Sequence, residues 1–329
     1  MKDLEQLRAR LPALRDVTYL NTGTLGVMAE PVLERYVEAL QRVERFGHAR
    51  WDEVRATAEG ARQRLAELVG ACSEELAFTG NSTDGLALVL ASLRWSPGDR
   101  VLTSDQEHPA LLLPLSAVSR RHEVTVHQFT VGSTPEETIV SFAERLEEVR
   151  PRLVAFSHVS CETGVRLPVE RLVSMAHEHG ALVLLDVAQS VGQCRVDLRG
   201  LGVDFAAGNG HKWLHGPKGT GFLFVRRDML DLLEPPLVGD GAVEPALERT
   251  ADWLEGGASG RTRSASSSGR ETQLLGSGSR RRLIIWRRSA GTRSSAINAC
   301  WYAGCTSGLP RSQGFAGTRR SIRRVEAGW

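Results

Sequence analysis

From about Glu75 to Arg227 the chain alternates short apolar runs with longer amphipathic stretches, and this alternation restricts the fold more than any other feature. The runs are ELAFTG, RVLTSD, RLVAFSHVS, ALVLLDVAQ, VDFAAGNG and GTGFLFVRR, with EVTVHQF alternating like a half-exposed strand. Between them lie helical patterns: one opening near Ser82, then PALLLPLSAVSRR, PEETIVSFAERLEEV and PVERLVSMAHEHG. Strands separated by helices of roughly 10 to 15 residues build βαβ units. The expected fold is α/β, a mainly parallel, doubly wound sheet between helices on both faces. Ligands of such sheets sit at the carboxyl ends of the strands. Upstream, Val32, Leu33, Tyr36, Val37, Leu40 and Val43 recur at helical spacing, which predicts a helix from Pro31 through Leu68. The charged amphipathic start, residues 1–17, reads as a separate helical segment; residues 18–240 read as the large domain.

Residues 241–329 differ in texture. GGASGRTRSASSSGRETQLLGSGSRRR has neither period and reads as disordered. The net charge of +2 conceals a split, since residues 261–329 hold 14 Arg, no Lys and two acids, Glu271 and Glu326. Such a basic arm ordinarily suggests nucleic-acid binding. Five cysteines, Cys72, Cys161, Cys194, Cys300 and Cys305, show no C-x-x-C spacing, so neither a disulfide framework nor a metal site is expected. No apolar leader or membrane-length run is present, so the expected setting is soluble and cytoplasmic, without a membrane partner.

Of 41 Lys and Arg, only Lys2, Lys212 and Lys218 are lysine. A chain with this preference for Arg keeps Lys where a guanidinium cannot serve, and Schiff-base formation is such a task, because an amine can lose its proton and attack a carbonyl. Other polar groups fall at the strand ends. Asp186 closes ALVLLD, where a carboxylate is costly without a partner. Gln189 follows it, His108 lies just past RVLTSD, and Thr79, Ser82 and Thr83 flank a glycine-bearing turn that opens a helix. An amine, a buried carboxylate, a flat ring and an anion cradle are together the parts that hold pyridoxal phosphate.

The motifs YLNTGTLG, FTGNSTDGLALVLASL, DQEHPALLLP, FSHVSCETGVRLPV, LLDVAQSVG and GNGHKWLHGPKGTGFLFV occur in order from Tyr19 to Val225. This stretch resembles the class V aminotransferase family of pyridoxal-phosphate enzymes, with its cysteine desulfurases, C–S lyases and isopenicillin N epimerase-like members. The resemblance implies fold type I, a pyridoxal 5′-phosphate cofactor, an amino-acid substrate and a homodimer. It implies that Lys212 forms the Schiff base and shuttles the Cα proton, that Asp186 pairs with the pyridine nitrogen, and that His108 stacks on the ring. It further assigns Gln189 to the ring's 3-oxygen, Ser82, Thr83 and His211 to the phosphate, and Asn21 to the substrate side. Two positions depart from the pattern: Asn209, counted by the resemblance among the cofactor-binding residues, stands where many members have a phosphate-binding Ser, and Cys161 where many have Asn or Ser.

Taken singly, these residues have ordinary structural roles. Lys212 could be a surface lysine, Asp186 a strand-end cap, His108 a loop histidine, and Ser82 and Thr83 helix caps. Lys218 and its glycines fail the phosphate-loop spacing and read as a tight turn before a strand. The family's C-terminal signals, of the type RFExGTxN and AAxxYLxxLG, are missing from the amino acids. A shifted frame through Ser264–Thr272 and Leu283–Thr292 permits both. The sequence thus supports a reading-frame slip between about Leu237 and Gly260, with non-native sequence after it, including Cys300 and Cys305. The leading function is an epimerase, C–S lyase or desulfurase-like enzyme working through Lys212. The rivals are an inactive cofactor-binding protein and an Arg-rich nucleic-acid binder.

Overall fold

A computed structural model describes residues 2–234 and 236 of the chain. The expectations for residues 241–329 lie outside the described residues. The N-terminal segment forms two short helices, α1 (Lys2–Ala9) and α2 (Ala13–Asp16). The long helix expected from Pro31 to Leu68 is instead two, α3 (Glu30–Phe46) and α4 (Trp51–Val69), separated by a 3-10 turn over Gly47–Arg50. Gly47 has φ +50° and ψ −133°, a conformation that a Cβ strongly disfavours. Apolar spacing continues on both sides of this glycine, so periodicity alone passes over the break.

Seven strands then form one sheet: β1 (Leu76–Thr79), β2 (Arg100–Ser104), β3 (Thr125–Phe129), β4 (Leu153–Ser157), β5 (Leu182–Asp186), β6 (Phe205–Asn209) and β7 (Gly221–Val225). Their order is β1-β7-β6-β5-β4-β2-β3. Strands β2 through β6 pair in parallel, as expected, while β7 runs antiparallel to both β6 and β1. The reversal follows from chain length. A parallel return needs a crossover of about a dozen residues or more, usually a helix. Only a compact turn links β6 to β7.

The parallel strands are connected through α5 (Ser82–Ser92), α6 (Pro109–His122), α7 (Pro135–Val149), α8 (Val169–Glu178) and α9 (Leu198–Leu201). Strand side chains alternate between two cores. Phe78, Leu102, Phe156, Val183, Leu185 and Ala206 face α4, α7, α8 and α9; Ala77, Val101, Ala155, Leu184, Phe205 and Ala207 face α5 and α6. Both faces being covered, β4, β5 and β7 read as nearly unbroken apolar runs. Four buried polar residues, Ser104, Ser157, Asp186 and Asn209, are each the last residue of their strand. No described helix is long and apolar enough to cross a membrane.

Candidate functional site

The sheet order brings the carboxyl ends of β2, β4, β5 and β6 side by side, with Ser157 in register with Asp186. Asp186 is 3% exposed, and its Oδ1 accepts the Ala188 N–H at 2.8 Å. Burial pushes its carboxyl up, while the Ala188 N–H and the nearby Lys212 and His108 charges oppose that rise. Lys212 lies in the β6–β7 turn, which is closed by Gly210 N–H to Thr220 O and Gly216 N–H to Gly210 O, both at 2.8 Å. Burial lowers the basicity of its amine, and Asp186, then Cys161, pull it back. A desolvated amine beside a buried carboxylate is closer to its nucleophilic form than a surface lysine.

The chain before α3 folds over this turn. Gly26 N–H donates to His211 O at 2.7 Å, Lys218 Nζ to Gly26 O at 3.2 Å, and His215 Nδ1 to Val27 O at 2.9 Å. A Cβ on Gly26 would stand 2.1 Å from the Lys212 carbonyl oxygen. Gly26→Ala is therefore expected to displace the Lys212 turn, at a cost of about 1–3 kcal/mol or more, typical of overpacking. Unfolding in denaturant measures it.

Gln189 is anchored in the same region, its Oε1 accepting from Trp213 Nε1 at 2.7 Å and its Nε2 donating to Gly23 O at 2.9 Å. Asn21 opens the turn before Gly23, its carbonyl accepting from Thr24 and Leu25 N–H groups at 3.1 Å. The structure thus joins Gln189 and Gly23 directly, and places Asn21 two residues away.

At the start of α5, Asn209 and Ser82 bond reciprocally. Ser82 N–H donates to Asn209 Oδ1 at 2.8 Å, and Asn209 Nδ2 to Ser82 Oγ at 3.0 Å. Asn81 Oδ1 caps Asp84 N–H at 2.8 Å, and Asp84 Oδ2 takes the Gly80 N–H at 3.0 Å. Thr83 is exposed at the helix start, while half-buried His211 donates weakly through Nδ1 to Thr220 O at 3.4 Å. Burial lowers the His211 basicity.

His108 caps α6, its Nδ1 accepting the Ala110 N–H at 3.0 Å. Because a backbone N–H can only donate, a neutral ring carries its proton on Nε2. Its neighbour Glu107 escaped sequence reasoning as a site residue. It is 4% exposed, and its carboxyl accepts from Ser104 Oγ, Ser157 N–H (2.9 Å) and Ser157 Oγ (2.6 Å). Burial raises Glu107 to about 7 against those bonds, with a further push from Asp186. One signal in the sequence pointed there, an acid in DQEHP directly beyond a buried strand end.

This shift predicts a pH dependence. A carboxyl raised in the fold gives stability that is complete below its unfolded value and is lost as pH rises through about 7. Buried His158, lowered to about 4, acts oppositely, gaining stability from pH 4 to 6.5. The two oppose each other up to about pH 6.5, and above it the last part of the Glu107 loss outweighs what remains of the His158 gain. Thermal midpoints are expected to fall between about pH 6.5 and 8. Glu107→Gln is expected to flatten that slope.

Among known proteins, the family model described as aminotransferase class-V matches residues 24–255. "Probable cysteine desulfurase 2" of Mycobacterium leprae is 38% identical over 261 residues, 74% of this chain and 62% of that protein. Isopenicillin N epimerase of Amycolatopsis lactamdurans is 35% identical over 230 residues, 68% of this chain and 58% of that protein. Two solved structures of C-DES align with TM-scores of 0.75 and 0.73 at 26% identity. One is a mutant with glycine covalently linked to its PLP cofactor; the other is the cystine C–S lyase with its product cysteine persulfide. They cover 91% and 90% of this chain, and it covers 73% of each of theirs. The chain spans about 62% of the length of the desulfurase it matches. A match across most of the described residues, through the turn that carries Lys212 and the strand end that carries Asp186, makes this chain a member of the aminotransferase class-V family.

Proposed function

We propose that the chain binds pyridoxal 5′-phosphate as a Schiff base on Lys212 and acts on an amino acid. The observation that carries this reading is the meeting of a desolvated amine with a buried carboxylate at the sheet's carboxyl ends. The donor set suits the cofactor. Asp186 Oδ1 takes the Ala188 N–H, leaving Oδ2 for the pyridinium N–H, and His108 would lie against the ring. Ser82, Thr83 and His211 would hold the phosphate, with Asn209 fixing Ser82. Gln189, steadied by Trp213 and Gly23, keeps one Nε2 hydrogen for the ring's 3-oxygen. When bound, the cofactor supplies an electron sink for negative charge at the substrate Cα. Lys212 Nζ would take and return the Cα proton, and Asp186 would hold the proton on the ring nitrogen. Asn21 would approach the substrate.

Desulfurase, C–S lyase and epimerase chemistry divide on which bond at the amino acid breaks. Cofactor-loaded protein incubated in D2O with cystine, cysteine and an aliphatic amino acid separates them. Sulfur release supports the first two, and Cα deuteration without sulfur release supports the third. Failure of both would favour a second reading, a cofactor-binding protein without turnover. The extent of the family match supports that second reading, because it stops at residue 255 while the matched relatives are longer. The same point falls inside the interval, about Leu237 to Gly260, in which the shifted-frame reading expects a slip. Sequencing of the genomic locus over the codons for Leu230 to Arg270 tests it: a single-base correction restoring RFExGTxN is expected. A homodimer in the cytoplasm is the expected working form of the intact protein.

A further inference from the structure

Glu107 stands apart from the residues assigned above. A carboxyl 4% exposed accepts three hydrogen bonds and pairs with no cation among the described residues, in the residue directly before His108. Its donors come from two strands, Ser104 at the end of β2 and Ser157 at the end of β4. The bonds therefore tie the β2–α6 connection to the strand next to Asp186. The same connection is held at three more points: Asp105 N–H to Phe129 O at 3.0 Å, Val131 N–H to Asp105 Oδ1 at 3.0 Å, and Thr163 Oγ1 to Gln106 Oε1 at 2.7 Å. Only Glu107 reaches the β4 end beside Asp186, and only it adjoins the ring-bearing residue.

We propose that Glu107 is a positioning residue, whose carboxyl clamps the β2–α6 connection to β4 and so fixes the His108 imidazole relative to Asp186. The inference rests on the proposed cofactor site for its functional meaning. A glutamine of the same shape can still accept from Ser157 N–H and Ser104 while its amide donates to Ser157 Oγ, so the clamp is geometric and does not need the charge. Alanine removes it, leaving the Ser157 N–H buried without a partner.

The test is a double-mutant cycle on the full chain with Glu107→Ala, His108→Ala and the pair, plus Glu107→Gln, reading the Kd for pyridoxal 5′-phosphate from its absorbance. Glu107→Ala should weaken binding by about 10- to 100-fold, by analogy with the loss of an outer partner that orients a metal-ligating side chain. Glu107→Gln should restore most of that affinity. In the His108→Ala background, Glu107→Ala should add little, because it acts through the imidazole. Independent, multiplying losses, or a Glu107→Ala affinity equal to that of the parent, would overturn the proposal. A second readout uses the cofactor-free chain, the rate of diethylpyrocarbonate modification at His108 followed by mass spectrometry. It should rise several-fold in Glu107→Ala and stay unchanged in Glu107→Gln; equal rates in all three would overturn the clamp. Failure of the parent chain to bind the cofactor would instead count against the proposed function, and the modification rates would still decide the role of Glu107. If Glu107→Ala does not fold, Ser157→Ala, which withdraws one donor, replaces it in both readouts, with a smaller shift in the same direction expected and no shift overturning the proposal.

Discussion

Lys212→Ala is expected to remove the lysine-linked absorbance of pyridoxal 5′-phosphate and to reduce turnover by at least about 10²- to 10⁴-fold, the loss that follows from the missing proton transfer alone. Lys212→Arg should fail as fully, since a guanidinium keeps its charge and cannot condense with the aldehyde. The turn explains why no other amine substitutes. Lys218, the nearest lysine in sequence, donates to Gly26 O at 3.2 Å, and Lys2 begins α1. Lys212 has the Asp186 carboxylate as its leading electrostatic partner. Absorbance and turnover of the parent and both variants, measured at one cofactor concentration, check the prediction.

Asp204→Ala is expected to cause a large loss of stability, and its origin is at the opposite end of the sheet. Asp204 is 1% exposed, just before β6, and its Oδ2 accepts from Val183 N–H at 2.7 Å and from His177 Nε2 at 3.0 Å. Arg226 Nη1 lies 2.9 Å from Oδ1, an ion pair and not an aligned hydrogen bond. Its backbone also pairs with both neighbours, accepting from Arg226 N–H at 2.9 Å and donating to Val183 O at 3.2 Å. One carboxylate therefore joins the beginnings of β5 and β6 to the end of β7 and to α8. Deleting it strands the buried Val183 N–H, which typically costs about 1–3 kcal/mol, while Arg226 keeps Asp228 as its other acid at 2.7 Å. For a domain of this size each kcal/mol lowers the melting temperature by about 2–4 °C, so a drop of roughly 2–12 °C is expected. Urea and thermal unfolding measure it.

The sheet was legible because burial on two sides writes its strands as apolar runs, and the same logic exposed Asp186, a carboxylate closing ALVLLD. Lys212 stood out through the scarcity of lysine. The helix break at Gly47 was not legible, because amphipathic spacing continues on both sides of it. The contacts that shape the site were not legible either. Glu107 meets Ser157 fifty residues on, and Ser82 meets Asn209 at a separation of 127, because β4 lies beside β2 and α5 begins against the end of β6. Sequence supplies each strand but not its neighbour. Asn209, read from the motif as a cofactor contact, bonds Ser82 through both ends of its carboxamide, a pairing its position in the sequence does not reveal. Cys300, Cys305 and the basic stretch fall outside the described residues.

Lys212 is the proposed attachment point of the cofactor, and with three lysines in the chain one measurement decides it. The purified full chain is mixed with pyridoxal 5′-phosphate, reduced with borohydride to fix any lysine-bound cofactor, digested and mapped by mass spectrometry. A single pyridoxyl group on the peptide containing Lys212, at close to one per chain, is the predicted result. Label spread over Lys2, Lys218 and the N-terminal amine, or absent altogether, would rule out Lys212 as the attachment point.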